Sequence, residues 1–311
     1  MKKLSLRTFI QNLYSLWVYD YHSDDNRLKR EMDYLSKQLC WQRMQNVAWR
    51  LKGTAEDNDE WNYVRDNSQP TNFPYLQVNQ LASVESGYDK KLKLPFVLHH
   101  SQRLYFPHSY SLYECENLYR YLIEKDQILG GGYLAKAPHC YQTDNFKVAE
   151  GDVLFDCGAA EGLFSLDVID KVSHVYLIET DKRWIPALRA TFAPYKNKVT
   201  IVNKYLSSED DMHHVSLSSL LSMHNESCFV KMDIEGAETM VLKESKDFLK
   251  GRDNIRLACC TYHYQSDADT LAHLFAEIGY RYSFSDGWMF CFDFEEIKPP
   301  YMRHGIIRAQ K

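Results

Sequence analysis

A short turn that contains two glycines offers the first chemistry in this sequence. The apolar run 153–155 leads into Asp156-Cys157-Gly158-Ala159-Ala160-Glu161-Gly162, and a helical pattern follows. Gly158 lets the chain turn sharply and approach a ligand closely. Gly162 lies where the helix begins, and the free N–H groups of a helix start suit a carboxylate or a phosphate. In a parallel sheet this turn lies at the carboxyl edge, where ligands of such sheets bind.

An acidic residue follows the next apolar run at the spacing of a nucleoside site. Glu179 stands 23 positions after Asp156, and an acid at an adjacent strand end accepts hydrogen bonds from ribose hydroxyls. A dinucleotide fingerprint needs glycines at positions 160 and 163, where this chain has Ala160 and Leu163. A pyrophosphate is therefore disfavoured. The spacing D-x-G-x-x-x-G suits a ligand with a small carboxylate, and S-adenosylmethionine has that shape.

A second cluster of ionisable residues follows the run 229–232. Asp233, Glu235 and Glu238 crowd one strand end, which core packing explains poorly. Asp233 is placed to orient a methyl acceptor or the donor amine, and His263, after the run 256–262, is the candidate general base. A histidine at a strand end is also commonly structural. Asp233 with His263 also offers two ligands to a divalent metal, although we expect no resident metal.

Alternating patterns predict the elements that position these residues. Short apolar runs alternate with helical segments from residue 152 onward, which predicts a mostly parallel sheet with helices on both faces. Asp286-Gly287 between two aromatic-rich runs predicts a closing antiparallel hairpin. The expected strands cover 153–155, 175–178, 199–202, 229–232, 256–262, 280–284 and 288–292, and the expected helices cover 163–171, 182–192, 239–249 and 268–278.

The region before residue 137 follows a different pattern. Helical spacing marks 25–50 and 113–125, a small hairpin is expected from 94–98 and 104–106, and 56–66 is expected to be a short exposed helix or loop. The histidine pairs 99–100 and 213–214 face opposite sides of any strand, so neither makes a shared site without a turn. An apolar stripe along 6–17 predicts a helix that packs on the protein or on a second subunit of a homo-oligomer. Peripheral contact with a membrane surface is its alternative.

These patterns give three expected parts. They are a mainly helical N-terminal region over 1–136, a Rossmann-like domain over 137–298 and a basic tail over 299–311.

Composition excludes several classes of protein. The chain is 45% hydrophobic and 25% charged, as in ordinary globular proteins. A net charge of −5 leaves no strong basic field for a phosphate backbone, so nucleic acid is not an expected partner. The sequence contains no run of about 18 apolar residues, so no transmembrane segment is predicted. Met1-Lys2-Lys3 leads into no clean apolar core, so we expect no signal peptide and a cytoplasmic location.

The blocks that carry this chemistry resemble the FkbM-type methyltransferase family. The resemblance rests on 151–162 (GDVLFDCGAAEG) and 231–242 (KMDIEGAETMVL), is supported by 137–141 (APHCY), and covers about 137–295. It implies a class I methyltransferase fold, a seven-stranded sheet with one antiparallel strand, and S-adenosylmethionine as methyl donor. It also implies a hydroxyl acceptor on a sugar, glycan or natural product. Cys157 stands where the family often has an aliphatic residue, and it is expected to point away from the turn.

The expected site joins both clusters. Asp233 and His263 are the expected catalytic residues, and the expected cofactor-binding residues are Asp156, Gly158, Ala159, Glu161, Gly162, Glu179 and Asp233. Two rival functions stay open. One is a nicotinamide-dependent oxidoreductase on a similar fold, which the glycine spacing disfavours. The other is a non-catalytic protein that keeps the cofactor pocket as a scaffold.

Overall fold

The N-terminal part combines helices with a small antiparallel sheet. The structure is a computed structural model that describes residues 26–75, 81–130, 136–292 and 297–311. The small sheet contains the hairpin expected at 94–98 and 104–106, whose second strand starts at residue 102. A further strand, which precedes the hairpin in the chain, pairs with its first strand. The elements are α1 (Asn26–Leu51), α2 (Asp59–Asp66), β1 (Ser86–Asp89), β2 (Leu94–His99), β3 (Gln102–Tyr105) and α3 (Leu112–Arg120), and α3 continues as a π-helical turn over Tyr121–Asp126.

The expectation that 56–66 is exposed is wrong for α2. Trp61 and Val64 are buried in an apolar cluster with Trp41 of α1 and with Phe290. The rings of Trp41 and Phe290 meet edge to face with centroids 5.8 Å apart, a favoured aromatic geometry. The N-terminal helices therefore pack against a segment from far beyond the boundary expected at residue 137.

The apolar stripe along 6–17 lies outside the described residues. Within the described ranges, no helix combines the length and the apolarity that crossing a membrane requires.

A seven-stranded mixed sheet follows in the chain. Its strands are β4 (Val153–Cys157), β5 (His174–Ile178), β6 (Val199–Val202), β9 (Cys228–Met232), β10 (Ile255–Cys260), β11 (Arg281–Phe284) and β12 (Ile306–Gln310), and a separate pair is formed by β7 (Tyr205–Leu206) and β8 (His214–Val215). The order in the sheet is β6-β5-β4-β9-β10-β12-β11, and β12 runs antiparallel to both of its neighbours while the other pairings are parallel.

Helices connect these strands. They are α4 (Leu163–Asp167), α5 (Ile185–Thr191), α6 (Leu217–Ser222), α7 (Glu238–Glu244), α8 (Lys246–Lys250) and α9 (Asp267–Glu277). Parallel strands joined by helices, with one antiparallel strand inserted near an edge, make this the Rossmann-like class I methyltransferase fold. The expected fold class is thus confirmed.

The two central strands explain why the sheet was readable from sequence. Every residue of β4 and β9 is buried, because helices cover both faces of a parallel sheet and its strands become continuous apolar runs. The strand order reverses between β4 and β9, and ligands of open α/β sheets bind at such a switch point.

The closing antiparallel pair has a different partner from the expected one. The expectation that 280–284 pairs with 288–292 is wrong, since β11 pairs with β12 in the segment expected to be a basic tail. Ile306 and Ile307 are fully buried in that strand. The guanidinium of Arg308 looked like a tail charge, but it is buried and donates to the carbonyl oxygens of Cys140 and Tyr141.

Candidate functional site

A cavity of about 790 Å³ opens at the carboxyl edge of the sheet. It lies at the switch point, with the turn after β4 on one side and the chain after β9 on the other. Four of the expected site residues line it, namely Gly158, Glu179, Asp233 and His263. A volume of this size is typical of small-molecule sites.

Gly158 is the point of closest approach between the two central strand ends. Its φ is +76°, and an added Cβ would lie 1.8 Å from the backbone oxygen of Asp233. A side chain therefore fits neither the backbone conformation nor the space. The missing side chain is what allows the turn and Asp233 to share one wall of the cavity.

Glu179 fixes the same turn from the adjacent strand. Its carboxylate accepts hydrogen bonds from the backbone N–H of Ala160 at 2.8 Å and of Asp181 at 2.7 Å. Burial raises the pKa of Glu179, and these two backbone bonds oppose that rise. A carboxylate has about four acceptor positions, so Glu179 retains capacity for the hydroxyl groups of a ligand.

Asp156 lies behind the turn, away from the cavity. It is fully buried, with Lys231 Nζ at 2.8 Å and Ser165 donating to its other oxygen at 2.7 Å. Lys231 also donates to the carbonyl oxygen of Gly158 at 2.8 Å. Burial would lower the pKa of Lys231, but the charges of Asp156 and Asp233, together with the hydrogen bond to Asp156, outweigh burial and hold that pKa above its usual range. The Asp156–Lys231 ion pair therefore links β4 to β9, and the Lys231 hydrogen bond holds the glycine turn in place.

The other expected cofactor residues of the turn are also buried. Ala159, Glu161 and Gly162 do not line the cavity. A Cβ on Gly162 would come within 2.8 Å of Phe192 and 3.0 Å of Leu188, so that glycine permits close packing of α4 on α5. Burial raises the pKa of Glu161 to about 7. Their direct contact with a cofactor stays a prediction.

Asp233 is the centre of a polar network at the cavity floor. Tyr141 donates to one carboxylate oxygen at 3.2 Å and Tyr262 donates to the other at 3.1 Å. Burial would raise the pKa of Asp233, but His139, Lys231 and His263 outweigh it and hold the pKa far below its usual range. Asp233 is therefore an anion at neutral pH, and about a quarter of its side chain remains accessible.

His263 lies between two carboxylates. Its Nε2 is 3.4 Å from Asp233 and its Nδ1 is 3.2 Å from Glu238. Burial would lower the pKa of His263, but Glu238 and Asp233 outweigh burial and raise it. Each ring nitrogen thus faces a carboxylate of the protein, whereas a general base must direct a nitrogen at the acceptor. This geometry favours a positioning role over the expected base role.

The same geometry bears on a metal between Asp233 and His263. Ligand atoms of Asp233, Glu238 and His263 lie within 4.8 Å of one another. The two carboxylates, however, approach different nitrogens of the ring. That arrangement fits an imidazolium bridging two anions better than one ion bound by a single nitrogen.

Sequence reasoning assigned no chemistry to Asp126, His139 and Tyr141. His139 hydrogen-bonds Asp126 through Nδ1, and its Nε2 lies 3.0 Å from the Tyr141 hydroxyl and 3.6 Å from Asp233. Burial would lower the pKa of His139, but Asp126 and Asp233 raise it to about 10. The block 137–141 entered the resemblance only as support, and nothing local marks Asp126, at the end of the π-helical turn, as its partner.

Charge on the cavity wall favours a cationic ligand. The lining carboxylates are Glu179, Asp181, Asp233 and Glu235, and the lining basic groups are Arg183, Lys204 and His263. Arg183 is paired with Asp181. Acidic groups thus outnumber basic ones around the crevice, which raises the local concentration of a positively charged small molecule.

Known proteins resemble this chain in structure only. No family model matches the sequence, and no curated protein matches it. One similar structure is the methyltransferase FkbM from Methylobacillus flagellatus KT, at 19% identity and a TM-score of 0.40, and the match covers 52% of this chain but only 44% of that one.

Two further similar structures were determined with the cofactor or its product bound. TYW2 of M. jannaschii in complex with AdoMet is 14% identical, with 70% of this chain and 85% of that chain covered and a TM-score of 0.37. SMU.1697c of Streptococcus mutans, a putative methyltransferase in complex with SAH, is 10% identical, with 53% and 91% covered and a TM-score of 0.35. None of these likenesses is close enough to assign an activity.

Proposed function

We propose that this chain is an S-adenosylmethionine-dependent methyltransferase of the FkbM type. Its acceptor is a hydroxyl group on a sugar, glycan or other natural product. The observation that carries the proposal is the single cavity in which Gly158, Glu179 and Asp233 meet. They lie at the ends of three strands around the switch point of the sheet, where ligands of such sheets bind.

Three features of the donor have a counterpart in this cavity. The Glu179 carboxylate, held by two backbone N–H groups, suits the ribose hydroxyls of an adenosine. The turn at Gly158 lets the backbone approach the amino-acid end of the ligand. S-adenosylmethionine carries a net positive charge, and the acidic wall complements it.

Asp233 is the residue we assign to the transfer step. Methyl transfer from a sulfonium is an in-line displacement, so the enzyme must align the acceptor oxygen and exclude water. The Asp233 carboxylate is ionised and held by Tyr141 and Tyr262. It is thus placed to accept a hydrogen bond from an acceptor hydroxyl or from the donor amine. The bond from acceptor oxygen to methyl forms as the sulfur–methyl bond breaks, and the hydroxyl proton leaves to a base.

Binding of the spent donor is the first test. Calorimetric titration with S-adenosylhomocysteine should give a dissociation constant at or below the tens-of-micromolar range. Glu179→Gln should weaken it by about tenfold or more, because a charge-assisted hydrogen bond to a hydroxyl becomes a neutral one. Glu209→Gln, an exposed position outside the cavity, serves as the matched control. A protein that binds NADH and ignores S-adenosylhomocysteine refutes the proposal.

Methyl transfer is the second test. Labelled donor is offered with a panel of sugars, glycans and hydroxylated natural products, with amines and RNA in parallel. Asp233→Asn should lower turnover by about 10²-fold or more, because the ionised carboxylate that aligns the acceptor hydroxyl becomes a neutral amide. Transfer to amines or RNA alone would disprove the hydroxyl acceptor while leaving the cofactor assignment standing.

A further inference from the structure

A tight hairpin brings two adjacent histidines onto one aspartate, and none of the three lines the cavity. His100 and Ser101 form the two-residue loop between β2 and β3, with φ of +47° and +68°. Positive φ at both loop positions belongs to the type I′ turn, whose twist matches that of a hairpin. The turn overrides the alternation that would send His99 and His100 to opposite faces. Their ring centroids lie 4.3 Å apart.

Both imidazoles face the same carboxylate oxygen. Asp167, the last residue of α4, places Oδ1 3.2 Å from His99 Nε2 and 3.7 Å from His100 Nε2. All three ligand atoms lie within 4.8 Å of one another. Zinc bonds of about 2.0–2.2 Å in a tetrahedron place neighbouring ligand atoms roughly 3.4 Å apart. The two measured separations bracket that value.

The hydroxyl of Tyr119 orients the inner histidine. Tyr119 lies 2.9 Å from His99 Nδ1, so the second ring nitrogen faces Asp167. Metal-binding histidines almost always hold such a partner on the nitrogen that does not bind the metal. His99 is buried, whereas the His100 side chain is 77% exposed. A cation can therefore enter from solvent, and water can complete its coordination.

We propose that His99, His100 and Asp167 bind a zinc ion that cross-links the N-terminal sheet to α4. Imidazole and carboxylate ligands in a tetrahedral arrangement suit Zn²⁺. The helix α4 begins directly after the glycine turn of the cavity, so the ion would fasten that helix to the small sheet. Each histidine would bind the ion through a bare ring nitrogen, so competition from protons should weaken binding in acid. The site is independent of the proposed methyltransferase activity.

Zinc competition against a chromophoric chelator tests the site on the full chain. Wild type should bind one more equivalent of Zn²⁺ than His100→Gln, while His100→Cys, which supplies another zinc ligand, should retain it. His213→Gln, at an exposed histidine elsewhere, should match wild type. Tyr119→Phe should weaken zinc binding by about tenfold, as removal of an orienting partner does.

Thermal unfolding gives an independent readout. Added Zn²⁺ should raise the melting temperature of wild type and of His213→Gln, and should leave that of His100→Gln unchanged, since only a ligand of the folded state stabilises it. Equal zinc stoichiometry and affinity in wild type and His100→Gln would overturn the proposal. So would the absence of zinc binding by wild type at tens of micromolar.

Discussion

Adding one methyl group at Gly158 should separate the two halves of the cavity. In Gly158→Ala the new Cβ would lie 1.8 Å from the backbone oxygen of Asp233, against 3.4 Å for the start of ordinary contact. The neighbour is backbone, which has no rotamer to change, so the strand ends must move apart by about 1.6 Å. A misplacement of about 1 Å can cost about 100-fold in a positioned site.

We therefore expect Gly158→Ala to weaken S-adenosylhomocysteine binding by about 100-fold, or about 2.8 kcal/mol. Gly151→Ala is the matched control. Gly151 has φ of +83°, and no atom lies within 4 Å of the place that an added Cβ would take. Both variants carry the same left-handed strain of about 1–2 kcal/mol, and only Gly158→Ala adds the collision.

Calorimetry measures the affinities, and thermal unfolding reports the strain common to both variants. Both variants should lose a similar amount of stability from the backbone strain, and Gly158→Ala should lose more because of the collision. Only Gly158→Ala should lose affinity for S-adenosylhomocysteine. If Gly158→Ala binds the spent donor as tightly as Gly151→Ala, the turn does not shape the donor site and this reasoning fails.

Three further predictions concern the buried charges. Glu161→Gln should abolish a fall in wild-type stability of about 3 kcal/mol between pH 4.5 and 7, measured by urea unfolding. The pKa of Glu161 is raised to about 7 in the folded state, so the folded state binds this proton more tightly than the unfolded chain and loses that advantage as pH rises. Lys231→Met should cost about 3–5 kcal/mol in urea unfolding, since it leaves Asp156 buried and unpaired; a loss below about 1 kcal/mol contradicts the pairing. Asp126→Asn should reduce the fall in the free energy of unfolding between pH 6.5 and 10, because wild type loses the stabilisation from charged His139 over that window. Urea unfolding that gives the same pH dependence for wild type and variant would contradict this role of Asp126.

Local patterns in the sequence determined the parallel part of the sheet and half of the site. Gly158, Glu179 and Asp233 were found because each follows a buried strand, and the carboxyl ends of parallel strands meet at one edge. The strand positions followed from the apolar runs of 153–155 and 229–232, which a sheet covered on both faces requires. These inferences needed only the neighbouring residues and the alternation of elements.

Tertiary structure alone decided the partners of those residues. The contact between Tyr141 and Asp233 spans 92 positions, and the one between His139 and Cys260 spans 121. The segment Ile306–Gln310 forms a buried strand because it pairs with β10 on one side and β11 on the other. The basic residues of the C-terminal segment had suggested an exposed tail instead. A sequence pattern reports which face of an element is apolar. Which distant side chain satisfies a buried charge depends on how the elements pack, and packing is a property of the whole chain.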